Sequence, residues 1–178
     1  MNLKHYNIIK KGVKYWNKWW NSLPQKGVVV WDIGQEAPIH ETVDLSYADL
    51  SSMDLSGYIF ENAGFEGAKF KNTNLMNTNL NFANCRFADF SGAIMRNTHI
   101  NFTELNKAIF TGADLKGNEV FIVAASNETI DFNGALIEDA KISIINEEIV
   151  EESGKKILRA KSIENYKSGL LVNRITKK

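Results

Sequence analysis

From Leu45 onward, every fifth residue is apolar. The run is Leu45, Leu50, Leu55, Phe60, Phe65, Phe70, Leu75, Leu80, Cys85, Phe90, Met95, Ile100, Leu105, Phe110, Leu115 and Val120, sixteen in succession. In a chain that is 44% apolar, chance gives such a run about two times in a million, so the period belongs to the fold. Neither regular element has it: a helix repeats about every 3.6 residues and a strand every second one. The backbone must therefore turn once per five residues.

The neighbours of each centre are patterned too. Two positions earlier stands a small residue: Ala at 48, 63, 68, 83, 88, 93, 108 and 113, Thr at 73, 78, 98 and 103. The residue between is often Asp or Asn. Gly recurs two positions after the centre, at 57, 67, 92, 112 and 117. These positions describe a four-sided coil. The bulky centre and the small residue face a narrow interior, and the polar residues and glycines make the exposed corners. Four repeats close one coil, and coils stack through backbone hydrogen bonds about 4.8 Å apart.

The stretches "YADLS", "GAKFK", "FADFSG" and "TGADLKG" resemble the pentapeptide-repeat family. The resemblance implies an all-β solenoid, a right-handed quadrilateral β-helix of about five coils. It says little about function, because that family hosts many roles.

The expected organisation is an N-terminal cap over 1–42, the β-helix over 43–145 and a C-terminal capping or dimerisation segment over 146–178. Residues 3–22 read as one helix whose stripe is Tyr6, Ile9, Val13, Trp16, Trp20 and Leu23, with Lys4, Lys11, Lys14 and Lys18 mostly opposite. Trp19 falls off that stripe. "GVVVWDI" at 27–33 reads as a strand, and "EEIVEESGKKILRA" as a hairpin turning at Ser153-Gly154. Past Val120 the period resumes at Phe132, Ile137 and Ile142, two residues late, which puts a register break near 121–129.

The formal net charge is zero, but it is unevenly spread. Residues 1–42 hold six lysines and three acids, residues 43–145 seven basic and thirteen acidic residues, and residues 146–178 eight basic and five acidic. An acidic middle thus lies between basic ends. The single cysteine, Cys85, excludes an internal disulfide. As a centre residue it is expected to be an inert interior group. There is no phosphate-cradling loop, zinc spacing or H-E-x-x-H, and His5, His40 and His99 fall in three different regions. The expectation is a non-enzymatic cytoplasmic protein with no cofactor or metal.

One departure from the motif points to a surface. The outward position two past the centre holds Phe82, Phe87, Phe102 and Ile122, with Phe121 beside the last. On twenty-residue spacing Phe82, Phe102 and Ile122 fall in one column and Phe87 in the next. An exposed apolar patch of this kind signals contact. Its cover would be the chain's own C-terminal segment, a second copy or a foreign protein. The leading functional reading is an interaction scaffold for a protein partner, without direct nucleic-acid binding or membrane association. Two alternatives are carried. One is a DNA mimic that binds a type II topoisomerase, as the resemblance implies for quinolone-resistance members. Its weak support is the acidic middle, set against columns of mixed sign such as Asp49, Lys69 and Asp89. The other is a membrane-associated or secreted effector.

Overall fold

A computed structural model describes residues 1–23, 43–125, 130–137, 140–152 and 155–166, with the backbone alone for the strands after residue 118. The strand expected at 27–33, His40 and the turn at Ser153-Gly154 lie outside the described residues.

From Asp44 the chain winds into stacked coils. Parallel bridges join Asp44 to Gly64, Asp49 to Lys69, Gly64 to Asn84 and Lys69 to Asp89, always twenty residues apart, and so on up to Ile94 and Asp114. Each repeat is built the same way. From Leu45 to Met95, the N–H three residues past each centre closes a turn on the centre's carbonyl, as Ala48 does on Leu45 at 3.0 Å. The residue two past the centre has positive φ, as a turn with a left-handed third residue requires. The Asp or Asn before the centre folds its Oδ1 onto the N–H two residues on: Asp44 accepts from Ser46 at 2.9 Å and Asn84 from Arg86 at 3.1 Å. That local bond explains the motif's Asp/Asn preference.

The centres fill the interior. Phe60, Phe65, Phe70, Phe90 and Phe110 are buried, as is Cys85. Threonine serves at the small position because its hydroxyl has a partner there. Thr73, Thr78, Thr98 and Thr103 donate to the carbonyls of Leu50, Leu55, Leu75 and Leu80 in the coil below, at 2.7–2.9 Å.

The single helix expected over 3–22 is two, α1 (Leu3–Ile9) and α2 (Val13–Ser22). Gly12, at φ +92°, cannot continue a right-handed helix and breaks it in two. Both halves still bury Ile8, Ile9, Trp16 and Trp20. Trp19 is partly buried, its ring 5.1 Å from Trp16 and 5.5 Å from His5.

The helices also supply the hydrogen bonds a preceding coil would have made. Asn17 accepts from the Ile59 N–H at 3.0 Å and donates to the Gly57 carbonyl at 2.9 Å. Trp16 Nε1 donates to the Ile59 carbonyl at 2.7 Å, and buried His5 accepts the Asp44 N–H on Nδ1 at 3.1 Å. The Asn2 N–H takes the Asp44 carbonyl at 2.9 Å.

At the other end the coil straightens. A short β1 (Thr103–Glu104) pairs in parallel with β2 (Glu119–Ala125), which pairs in parallel with β3 (Lys141–Glu152). An antiparallel partner, β4 (Lys155–Tyr166), completes the order β1-β2-β3-β4. Glu152 faces Lys155 across the hairpin, and the register sets Glu148 opposite Arg159 and Glu151 opposite Lys156. The register break falls here. Ile122 pairs with Thr103, nineteen residues back, whereas Asp131 pairs with Ile109, twenty-two back.

Candidate contact surface

The left-handed residues line up as four corners along the stack. Corner one is Tyr47, Gly67, Phe87 and Lys107; corner two is Ser52, Asn72, Gly92 and Gly112. Corner three is Gly57, Asn77, Asn97 and Gly117; corner four is Asn62, Phe82 and Phe102. Corners two and three hold only Gly, Asn and Ser, residues suited to such a backbone. The aromatics all fall on corners one and four, at φ from +56° to +60°. A side chain with a Cβ costs roughly 1–2 kcal/mol in that conformation, so each of these rings is held at the expense of local stability.

Corners four and one border the same side of the coil. Phe82 and Phe87 flank the segment from Ala83 to Arg86, and Phe102 and Lys107 flank Thr103 to Asn106 one coil on. Phe82 and Phe87 are 44% exposed and Phe102 47%. The Phe82 and Phe102 rings stack at 5.4 Å with their planes 7° apart. Lys107 Nζ lies 5.3 Å and the Arg86 guanidinium 5.8 Å from the centre of the Phe87 ring. Tyr47, on corner one, reaches Glu66 with its hydroxyl at 3.3 Å, and its ring lies over Gly67, where an added Cβ would come within 2.6 Å of it.

Between the two rims the face carries Glu66, Arg86 and Glu104. Burial pushes the Glu104 carboxyl above the usual range; Arg86 opposes that and Glu66 adds to it. The next face is different. Lys69 lies between Asp49 and Asp89 in the ladder, and Lys71 Nζ pairs with Asp89 at 3.0 Å. Burial pushes Asp89 up, but the Ser91 hydroxyl and N–H and the Lys71 charge hold it below the ordinary range. No unbroken acidic column runs through these positions.

Of the five residues singled out in the sequence, the structure brings Phe82, Phe87 and Phe102 to one face. The column assignment of Ile122 is corrected. Because Ile122 pairs with Thr103, the residue in register with Phe102 is Phe121. The cause is that β2 stays extended where earlier coils turn, and a straight strand passes the corner with one residue fewer. The side chains of Phe121 and Ile122 lie outside the description. Tyr47, Arg86 and Lys107 belong to the same face and were missed in the sequence. The available signal was their place in the five- and twenty-residue count: Tyr47 and Lys107 are also two past a centre.

Burial pushes the Cys85 thiol strongly up, which leaves it un-ionised at neutral pH. A cavity of about 270 Å³ is lined by Asn97, Thr98, His99, Asn101, Gly117 and Asn118. Among the described residues, no group of three or more His, Cys, Asp or Glu could hold a metal ion, and no helix is long and apolar enough to cross a membrane.

Five-residue turns, twenty-residue parallel bridges and a buried column on each side define a pentapeptide β-helix. The sequence model of that family, described as pentapeptide repeats, matches in eight copies over residues 44–81, 59–97 and 83–117. Residues 44–117 of the chain are therefore pentapeptide repeats. Several solved structures are similar to it. Rfr23 from the cyanobacterium Cyanothece 51142 is 22% identical over 63% of this chain and 65% of its own, at a TM-score of 0.32. HetL from the cyanobacterium Nostoc sp. strain PCC 7120, a protein involved in heterocyst differentiation regulation, is 17% identical over 55% of this chain and 56% of its own, at 0.28. A pentapeptide repeat protein from the Arabidopsis thaliana thylakoid lumen is 29% identical over 55% of this chain and 63% of its own, at 0.15. The chain thus spans less than two thirds of the length of each. No curated protein matches the sequence.

Proposed function

We propose that this chain is a non-enzymatic, cytoplasmic scaffold whose coil displays one face to a protein partner, with the helices of 1–23 closing one end. The observation that carries the reading is the placement of the aromatics. Among the described residues, every aromatic at a left-handed corner borders a single face, while the other two corners keep Gly, Asn and Ser. Left-handed corners occur all round the repeat, but aromatic rings are placed in them on one side only, as expected of a used surface. Exposed aromatics are also the residues that supply most of the energy in protein contacts. The DNA-mimic alternative gains no comparable support, because Lys69 and Lys71 interrupt the acids of the adjoining face.

The test is a photo-crosslinking residue placed at Phe87 and, as a control, at Asn97 on corner three. In the native host, position 87 should form an adduct with a defined protein, which Phe82→Asn with Phe102→Asn abolishes. Equal labelling at both positions, or none at 87, would overturn the reading.

A further inference from the structure

We propose that the occupant of this face is a second copy of the same chain. The inference rests on the reading of the face as a contact surface and adds the identity of the partner. The first argument is charge. The face and its rims carry Glu66 and Glu104 against Arg86 and Lys107, two of each sign. Such a surface selects neither a strongly acidic nor a strongly basic partner, but it is complementary to itself. The second argument is shape. The rims stand on both sides of one flat side, Phe82 and Phe102 on corner four, Phe87 and Lys107 on corner one. A two-fold axis parallel to the coil stack lays corner four of one copy against corner one of the other. The contact is then isologous and closes at two chains. It sets the stacked Phe82 and Phe102 rings of each copy near the Phe87 ring and Lys107 ammonium of its twin.

The area is modest. Four coils rise only about 15–20 Å at strand spacing, so the buried surface falls at the small end for specific contacts. The dimer should therefore be weak and concentration-dependent. Holding rings in left-handed corners is also costly, which fits residues retained for association rather than for folding.

Light scattering on the full chain, from about 1 µM to about 1 mM, tests this. The expected result is a mass that climbs from one chain to two and stops there. The variant Phe82→Asn with Phe102→Asn should stay at one chain across that range. Its fold is secured by precedent in this molecule, where Asn72, Asn77 and Asn97 occupy the same conformation. Arg86→Glu alone should weaken association at least tenfold, and adding Glu104→Arg, in the column that the two-fold lays opposite Arg86, should restore part of it. A single-chain mass at every concentration overturns the proposal, as does a dimer indifferent to Phe82, Phe102 and Arg86. The contact reading is judged separately by crosslinking from position 87. An adduct with a different protein, from a chain that stays single, sinks self-pairing alone. No adduct at all sinks both.

Discussion

Two stacks of phenylalanine run along this molecule. Inside the coil, Phe70, Phe90, Phe110 and Phe132 stack with centroids 4.8, 4.9 and 5.0 Å apart and planes within 12°. On corner four, Phe82 and Phe102 stack at 5.4 Å and 7°. The spacings are close because both follow the rise from coil to coil. The surroundings are opposite. The inner rings are buried centres, whereas the outer rings are exposed and sit at φ +59° and +56°. Ring stacking alone therefore says little about role in a repeat, since any column of like residues will stack. Backbone conformation and exposure carry the information.

The comparison breaks most visibly at Phe90. Phe90→Ala should cost about 3–5 kcal/mol. Phe90→Asp would bury a carboxylate without a partner and should unfold the neighbouring coils. A soluble Phe90→Asp variant with an unchanged melting temperature would contradict the packing described.

The inner stack also depends on how the first coil is closed, since Trp16 meets Phe60 edge-on at 5.1 Å. Asn17→Leu would leave the Ile59 N–H and the Gly57 carbonyl without their side-chain partner, and His5→Phe would do the same to the Asp44 N–H. Each unpaired buried group costs about 1–3 kcal/mol. Hydrogen exchange should show faster opening at Asp44 and Ile59 before it does so at Asp89. Uniform exchange changes along the stack would mean that these bonds do not hold the end.

For the outer stack the expected sign changes. Phe82→Asn relieves a left-handed phenylalanine but gives up a stacked ring worth about 0.5–1.5 kcal/mol. Thermal melting should move by the equivalent of no more than about 1 kcal/mol in either direction, against the several lost at Phe90. A loss as large as that of Phe90→Ala would show that the outer ring serves the fold.

Much of this architecture is legible in the sequence because the period of five is geometric. A centre must be apolar wherever the interior is narrow, so the run from Leu45 to Leu115 marks the core residue by residue. The corner is only half legible. Gly57 and Gly92 announce a left-handed position, but Phe82 in the same position reads simply as an outward apolar residue, and the strain is seen only in the backbone. The edge bonds of His5 and Asn17 could not be foreseen. A helix presents many polar side chains, and which of them meets an unpaired amide depends on docking. The slip near 121–129 was locatable from the late return of the period at Phe132. Which residue then faces Phe102 depended on how the chain rounds the corner, and that local count decided between Phe121 and Ile122.

The smallest effect expected is that of pH, and it too separates the aromatic face from the others. Glu104, between the two rims, has its carboxyl raised by burial. A raised carboxyl binds its proton more tightly folded than unfolded, so stability should rise slightly as pH falls toward the ordinary glutamate value of about 4.3. On the neighbouring face Asp89 is depressed by Ser91 and Lys71 despite its burial. Burial also pushes Asp114 up, but Arg96, which reaches its Oδ2 at 2.6 Å, and the Lys116 N–H hold it below the ordinary range. Those groups contribute stability that is present above about pH 4 and lost as pH falls through their lower folded values. The pH profile of the melting temperature should therefore pass through a shallow maximum in mild acid. Glu104→Gln should flatten the rise on its alkaline side and leave the acid limb in place. Asp89→Asn with Asp114→Asn should make the acid limb shallower, the rest of it belonging to Asp44, Asp49 and Asp54, which are also held low, and leave the alkaline side in place. If Glu104→Gln instead moves the acid limb, the carboxylate is not held where the packing between the Phe82–Phe102 and Phe87 rims puts it.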